Sequence, residues 1–276
     1  MPNIMPNTMV ETLKKLKIKA SPSSFQAKSK KGLFREYTEA IVVAVLIALV
    51  LRSFVIEAFK IPSGSMIPTL KIGDHIFVNK FIYGLRLPYT KIRFFQFYTP
   101  KRGEIIVFIY PVDNSKDYIK RVVGLPGDIL EMKQGTVIIN GQPVGKTIQT
   151  ARNILKDIDG SDSMDLYKES TGTFTHYTLY YNPKFKEPDD FAPLTIPPNK
   201  LFVMGDNRDN SSDSRAWRFV PMENIKGRAM FVWLSLDTDH RFSWLKFPMI
   251  RLEPSAHIEW EGLPSIRWER FGKLIR

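Results

Sequence analysis

The sequence predicts a mainly β protein: an antiparallel β domain with an inserted smaller β subdomain, preceded by one N-terminal transmembrane helix. Three observations predict this class. One unbroken apolar stretch lies near the N-terminus, short runs of branched and aromatic residues separated by glycine-containing turns follow it, and the segment inside those runs is weaker in pattern. With 276 residues, 43% of them hydrophobic, the chain can bury a sizeable core.

The apolar stretch predicts a membrane anchor over residues 39–58. Residues 40–51 are all apolar, and the apolar character continues to Phe59 past three polar positions. The length is at the short end for crossing a bilayer. A buried core helix is disfavoured because apolar residues occupy every face over three turns, and a cleaved secretory signal is disfavoured because no small-x-small site follows.

The charge distribution predicts the orientation of this anchor. Residues 1–39 hold eight lysines and arginines against three glutamates, just ahead of the apolar segment. A cytoplasmic tail next to a membrane span has this composition, so residues 1–38 are expected to be a poorly ordered cytoplasmic tail. The net charge of +12 invites a nucleic-acid partner, but its placement favours membrane lipid instead, and we expect no nucleic acid.

The remaining chain divides by pattern into three parts. The main β domain is predicted over residues 59–144 and 196–238, where Asn140-Gly141 marks a hairpin turn. Residues 145–195 are predicted to form the inserted subdomain. Residues 239–276 form a tail of alternating aromatic and basic residues, which suits contact with a membrane interface or a packing arm against the β domain.

The composition excludes several kinds of chemistry. The chain has no cysteine, which removes disulfides, thiolate nucleophiles and sulfur-based metal sites. The four histidines are scattered, with no pair at metal-ligand spacing. We therefore expect no metal and no cofactor, although a Ser/His/Asp triad could still assemble in space.

A serine and a lysine are the candidate catalytic pair. Ser65 lies in a proline-bounded turn of small residues shortly after the anchor, and such a turn can hold a hydroxyl out from the backbone. A lysine serves as its base only when neutral, which requires burial or nearby positive charge. Lys120 lies in an apolar run, where strand alternation places it and Arg121 on opposite faces, so one of the two cations is expected to point inward. Spacing alone favours an ordinary edge-strand lysine.

A polar loop completes the pattern. Residues 205–215 contain no apolar side chain and lie between strand-like runs. Such a loop is either solvated or surrounds a site.

These segments, in this order, resemble the bacterial type I signal peptidases, the membrane-anchored leader peptidases. The resemblance covers about residues 40–237. It depends on four motifs, Pro62-Ser63-Gly64-Ser65-Met66, Arg102–Phe108, Tyr118–Asp128 and Gly205–Arg215.

The resemblance implies a Ser/Lys endopeptidase that removes signal peptides from exported preproteins. It implies that Ser65 attacks the scissile carbonyl while neutral Lys120 takes its proton. The backbone N–H of Ser65 and the hydroxyl of Ser63 would hold the oxyanion. In the polar loop, Ser211 would orient the lysine amine, Asp213 and Arg215 would form a bracing salt bridge, and Asp206 would support the same network.

The resemblance also implies shallow apolar pockets for small substrate residues. The positions that match the pocket walls, which are equally plausible as core residues, are Phe59, Ile61, Met66, Tyr118 and Ile119. The expected partners are preprotein signal peptides and membrane lipid, with the protein export machinery as a candidate. The expected location is the bacterial cytoplasmic membrane, single-pass, with a cytoplasmic N-terminus and the catalytic domain on the outer, periplasmic face.

Other interpretations stay open from the sequence. A Ser/Lys self-cleaving repressor shares the chemistry but would carry a DNA-binding helix-turn-helix in place of the apolar span. A sibling membrane peptidase would differ in substrates, and a non-catalytic membrane-anchored β module is the third alternative. Arg218 departs from the family pattern, since glycine is usual there.

Overall fold

The computed structural model describes residues 30–87, 90, 92–150, 152–155, 158, 160–171, 174–184, 186, 189–250 and 258–275. The first element is the helix α1, Lys30–Phe54. Its part from Phe34 to Phe54 is 21 residues long and apolar enough to cross a membrane. Of the tail predicted over residues 1–38, residues 1–29 lie outside the described residues.

The helix and the predicted anchor over residues 39–58 have different bounds at both ends. The helix already contains residues 30–38, and it ends at Phe54 rather than at residue 58. The apolar residues that follow form the strand β1, Ile56–Lys60, which pairs antiparallel with the strand Asp74–Asn79. A short apolar run fits helix and strand equally well, and here the distant pairing partner decides.

The chain after α1 is almost entirely strand. After β1, the strands in chain order are β2 Asp74–Asn79, β3 Leu85–Arg86, β4 Arg93–Phe94, β5 Ile105–Ile109, β6 Asp117–Gly124, β7 Ile129–Lys133, β8 Thr136–Ile139, β9 Gln142–Pro143, β10 Gly145–Ile148, β11 Met164–Ser170, β12 Thr175–Tyr181, β13 Phe191–Thr195, β14 Lys200–Met204, β15 Val220–Pro221, β16 Ile225–Ile250 and β17 Ile258–Ile266. A second short helix, α2, covers Ser214–Trp217. The prediction of a mainly antiparallel β fold with one N-terminal apolar helix is confirmed.

One sheet organises the main domain. Its strand order is β1-β2-β16-β5-β6-β14-β15, with β17 paired to β16. Each pairing is antiparallel. Strands β5 and β6 consist mostly of buried residues, so apolar side chains pack on both faces of the sheet centre.

The second sheet has the order β13-β7-β8-β9. The turn after β8 has positive φ at Asn140 (51°) and Gly141 (78°), as the Asn-Gly pair predicts. Strand β13 pairs with β7, although the sequence placed residues 191–195 in the insertion. The insertion itself forms the three-stranded sheet β10-β11-β12 with a small core that includes Leu166 and Leu179.

The C-terminal segment packs against the main domain. Strand β17 extends the sheet along β16, and a short 3-10 helix follows at Trp268–Arg270. The buried Arg270 guanidinium donates from Nε to Asp74 Oδ1 at 2.8 Å, and its Nη2 donates to the second carboxylate oxygen. For residues 265–275 the structure therefore favours the packing arm over the membrane contact.

Candidate active site

The nucleophile candidate lies on a short 3-10 helix. Residues Gly64–Met66 form this helix directly after β1, and the fully buried Met66 anchors it in the core. Ser65 is 7% exposed. In a helix of this kind the first N–H groups have no intrahelical partner. The N–H of Ser65 is therefore outside the helix's own hydrogen bonds.

The lysine candidate reaches this serine directly. Lys120 Nζ donates to Ser65 Oγ at 2.7 Å and to the carbonyl oxygen of Ile119 at 3.0 Å. Strand β6 carries Lys120 and pairs through it with Ile106 of β5, which fixes its backbone. A neutral amine can accept the hydroxyl proton along the same 2.7 Å line. The structure thus brings together the two residues that the sequence paired across 55 positions.

Burial sets the protonation of the amine. Lys120 is 4% exposed, and desolvation lowers its pKa from 10.5 to about 8. The carboxylates of Asp213 and Asp206 act in the opposite direction, and the charge of Arg215 acts with desolvation. Near neutral pH a usable fraction of Lys120 is therefore neutral.

The neighbouring cation is also buried, so the expectation of one inward cation was wrong. Arg121 is 0% exposed and binds Asp206 through two hydrogen bonds of 2.7 Å, from Nε to Oδ1 and from Nη2 to Oδ2. Thr69 Oγ1 donates to Asp206 Oδ2 at 2.5 Å. Burial raises the pKa of Asp206, but the charge and hydrogen bonds of Arg121 outweigh it and hold that pKa below its usual value. Both faces of β6 are covered, which explains the second inward cation.

The predicted salt bridge in the polar loop is present in the structure. Arg215 donates from Nε to Asp213 Oδ1 at 2.9 Å and from Nη2 to Oδ2 at 2.8 Å. The backbone N–H of Gly205 also donates to Asp213 Oδ2, at 3.0 Å. Burial raises the pKa of Asp213, and the bonds to Arg215 outweigh that effect, so the carboxylate stays charged. This pair fixes the loop near the lysine.

Two predicted roles are not seen in the described contacts. The buried Ser211 hydroxyl makes no hydrogen bond to Lys120; it lies near the Asp213 carboxylate and contributes to its low pKa, without the geometry of a full hydrogen bond. Ser63 is exposed, and its hydroxyl does not cap the 3-10 helix. The hydroxyl of Ser63 therefore does not form a helix-capping hydrogen bond.

The predicted pocket residues divide between two clusters. Ile61 and Met66 are buried in one core cluster, with Phe59 and Ile119 packed against it. Tyr118 belongs to another cluster, where its ring stacks on Tyr110 with centroids 4.2 Å apart. Its ring also lies 5.4 Å from Lys120 Nζ. Ile61 and Met66 are thus core residues. The Tyr118 ring instead lies beside the Lys120 amine.

Two residues of the polar loop that the sequence did not predict touch the nucleophile turn. The buried Asn207 donates from its backbone to the carbonyl oxygen of Ser65 at 3.0 Å and from Nδ2 to the carbonyl oxygen of Gly64 at 3.1 Å. A Cβ on Gly205 would lie 2.5 Å from the Ser65 carbonyl oxygen, so only glycine fits there. The density of polar residues pointed to the loop but could not single out these two.

A buried charge cluster joins the insertion to this loop. Arg208 donates from Nη1 and Nη2 to the two carboxylate oxygens of Glu169, at 2.9 and 2.6 Å. His176 Nε2 lies 3.7 Å from Glu169 and 3.9 Å from Asp206, and burial lowers its pKa to about 4. This histidine lies next to carboxylates. The described contacts of Ser65 include no histidine, so the base contacting Ser65 there is Lys120. Among the residues described, no group of three or more His, Asp or Glu side chains could hold a metal ion.

A serine hydroxyl bonded to a buried lysine amine of lowered pKa, on an antiparallel β scaffold, defines a serine hydrolase with lysine as its base. The profile of the family "Signal peptidase, peptidase S26" matches residues 34–234. The chain belongs to this family of serine peptidases.

Two relatives of known name, both from Pseudomonas, agree with this assignment by sequence. Signal peptidase I of Pseudomonas aeruginosa is 41% identical over 227 residues, which cover 78% of this chain and 77% of that protein. Signal peptidase I of Pseudomonas fluorescens is 42% identical over 219 residues, or 75% of each chain. A solved signal peptidase I from Enterococcus faecalis is 26% identical, covers 48% of this chain and 97% of its own, and has a TM-score of 0.31. The family excludes the repressor-like and non-catalytic alternatives.

Proposed function

We propose that this chain is a membrane-anchored peptidase that removes N-terminal signal peptides from exported preproteins, with Ser65 as nucleophile and Lys120 as general base. The observation that carries the proposal is the 2.7 Å contact between Lys120 Nζ and Ser65 Oγ. A buried amine with a pKa of about 8 can take the hydroxyl proton near neutral pH.

The geometry supports a two-step reaction. Ser65 Oγ attacks the scissile carbonyl carbon while its proton moves to Lys120 Nζ. The N–H of Ser65 and the hydroxyl of Ser63 hold the resulting oxyanion. When the tetrahedral intermediate collapses, the C–N bond breaks and the Lys120 ammonium gives its proton to the leaving amine.

The second step releases the signal peptide. It remains attached to Ser65 as an ester, and water attacks this ester while Lys120 takes the proton of the water. Collapse of the second intermediate breaks the ester bond and returns a proton to Ser65 Oγ. Lys120 is then neutral again, so each cycle restores the dyad.

The edge of β6 supports the way in which an extended substrate would bind. Strand β14 pairs with β6 from Gly124 to Arg121 and ends there at Met204. Beyond that point β5 is the paired neighbour of Tyr118–Lys120 in the described part of the sheet. An extended peptide can therefore add a strand beside Lys120. Tyr118, Ile119 and Phe59 are partly buried along this approach and are the proposed walls for small substrate residues.

The anchor supports the proposed location. Ser65 lies eleven residues after the end of α1, so the dyad stays near the point where the chain leaves the membrane. The basic residues ahead of α1 favour a cytoplasmic N-terminus and place the catalytic domain on the outer, periplasmic face of the cytoplasmic membrane. Membrane lipid and the export machinery are the proposed partners.

The test uses the full chain purified in detergent and a preprotein with a small-x-small cleavage site. Wild type should cut at that site, while Ser65→Ala and Lys120→Met should lose at least about 10³-fold in rate, the scale seen when a dyad member is removed. Lys168→Met, which changes an exposed lysine of β11, should cut like wild type. Uncut preprotein with wild type, or cleavage by Ser65→Ala at the wild-type rate, would overturn the proposal.

A further inference from the structure

The buried Asn207 contacts both peptide groups that flank Ser65. Its side-chain Nδ2 donates to the carbonyl oxygen of Gly64 at 3.1 Å, and its backbone N–H donates to the carbonyl oxygen of Ser65 at 3.0 Å. Asn207 is 3% exposed, so water does not compete freely for these bonds. One residue therefore fixes the backbone on both sides of the nucleophile.

The first of these contacts determines where the Ser65 N–H points. The carbonyl of Gly64 and the N–H of Ser65 belong to one planar trans peptide, in which the two groups point in opposite directions. Nδ2 of Asn207 and the N–H of Ile67, at 3.1 Å, both bind the Gly64 oxygen and hold that end of the peptide. As a result the Ser65 N–H faces the other way, away from Asn207.

Asn207 also links this peptide to the strand of the base. It lies three residues after β14, which pairs with the Lys120 strand β6. At Asn207 the chain forms a parallel bridge with Leu179 of β12, and the Leu179 N–H donates to the Asp206 carbonyl oxygen at 2.8 Å. The position of Nδ2 is therefore set by the same framework that places the amine.

We infer that Asn207 is a positioning residue that orients the Gly64–Ser65 peptide so that its N–H serves as an oxyanion donor. The inference depends on the proposed function, because it assigns a cause to the oxyanion site of that reaction. Asn207 does not touch the reacting atoms; its effect passes through one peptide group. Its loss should weaken the stabilisation of the oxyanion and leave the binding of the extended substrate and the titration of Lys120 unchanged.

Two substitutions test the inference in the detergent-purified full chain. Asn207→Ala removes the donor and keeps the backbone bond to Ser65. Asn207→Asp keeps the shape but turns an oxygen toward the Gly64 carbonyl, which repels the orientation seen here. Loss of one oxyanion donor lowers kcat by about 10²–10³, so we expect a fall of about tenfold for the alanine variant and about 10²-fold for the aspartate variant. For Asn207→Ala, KM and the pH midpoint of kcat/KM should not change. Asn207→Asp adds a buried carboxylate near Lys120, which raises the pKa of that amine, so its kcat is compared with wild type on the alkaline plateau of each pH profile. Asn210→Ala is the matched control, since Asn210 is exposed in the same loop.

A second readout separates positioning from general damage. A peptide aldehyde with small residues one and three positions before the aldehyde carbon forms a tetrahedral adduct with Ser65. The corresponding peptide alcohol has no carbonyl for Ser65 to attack and therefore binds without an oxyanion. The aldehyde should bind more weakly in step with kcat across the variants, and the alcohol should bind equally to all. Rates are normalised to the folded fraction from each variant's unfolding transition, so partial misfolding does not imitate the effect.

The outcomes distinguish the two proposals. If wild type cuts and Ser65→Ala does not, but Asn207→Asp keeps the wild-type kcat, the role of Asn207 is wrong and the dyad stands. Equal losses of aldehyde and alcohol binding would also overturn it, since they indicate a collapsed site. If wild type itself does not cut, the proposed function fails first.

Discussion

Replacing Lys120 with methionine should abolish cleavage and stabilise the fold below pH 8. Desolvation lowers the pKa of the amine from 10.5 to about 8, a difference of about 2.5 pH units. Each pH unit corresponds to about 1.4 kcal/mol, so the buried charge destabilises the native state by about 3 kcal/mol when both states are protonated. The methionine variant also lacks the hydrogen bonds of Lys120 to Ser65 and Ile119. Their loss reduces the gain in unfolding free energy by about 1 kcal/mol. The net expected gain at pH 7 is about 2 kcal/mol.

The sign of this effect depends on pH in a defined way. Below pH 8 both the folded and the unfolded chain hold the proton, so the whole penalty is present. Between pH 8 and 10.5 the folded protein is neutral while the unfolded chain is still protonated, and wild type therefore gains stability as pH rises. The advantage of Lys120→Met should shrink over this window and disappear above it.

Urea unfolding of the full chain in detergent, followed by tryptophan fluorescence at pH 7 and pH 9.5, measures the effect. At pH 9.5 the penalty in wild type falls to less than half of its value at pH 7. Lys168→Met is the control, and its exposed side chain should leave stability unchanged at both values. A Lys120→Met protein that is no more stable than wild type at pH 7, or whose gain does not vary with pH, refutes the desolvation argument.

Three further predictions concern rate and backbone. In wild type, kcat/KM should fall about tenfold for each pH unit below about 8, because only neutral Lys120 accepts the proton; a midpoint near 6.5 would instead indicate a histidine. Gly205→Ala should lower kcat about 10²-fold, because the added Cβ would lie 2.5 Å from the Ser65 carbonyl oxygen, whereas Gly145→Ala, whose Cβ meets a single atom at 3.4 Å, should be silent. Arg218→Gly should raise the free energy of unfolding by about 1 kcal/mol, because the exposed Arg218 has φ 75° and ψ −105°, a conformation that glycine adopts without strain.

Two results would contradict the backbone predictions. A Gly205→Ala enzyme with wild-type kcat would mean that the loop retreats from Ser65 without moving it. An Arg218→Gly protein that unfolds at a lower urea concentration than wild type would mean that the arginine side chain stabilises the fold by more than its strained backbone destabilises it. Both are read from the same unfolding and steady-state measurements.

Local signals alone did not predict the dyad. A proline-bounded turn marks Ser65, but an apolar run that contains a lysine fits an ordinary edge-strand lysine at Lys120, and the order of the motifs is what favoured it as the base. The end of α1 could not be predicted in this way. Residues 56–60 mix apolar and charged side chains without a clear period, and only their pairing with β2, nearly twenty residues later, decides that they form a strand.

The contacts of the polar loop were the least predictable part of the site. Asp206 binds Arg121 across 85 residues, and Asn207 reaches Gly64 across 143. Nothing in the spacing of the loop distinguishes Asn207 from the exposed Asn210, since both are asparagines among polar neighbours. The difference arises from the bridge to β12 in the insertion, whose position no local pattern reveals.

The adjacent cations on β6 differ in how their bonded partners compensate a buried positive charge. Arg121 is fully buried, and two of its hydrogen bonds end on the carboxylate oxygens of Asp206, which compensate a positive charge. Lys120 is equally buried, but its bonds go to a hydroxyl and a carbonyl, which do not compensate a positive charge. Desolvation lowers the pKa of Lys120, and the charges of Asp213 and Asp206 raise it by less. A carboxylate in place of the serine hydroxyl would therefore do more than remove the nucleophile: it would hold Lys120 in the charged form and abolish the base as well.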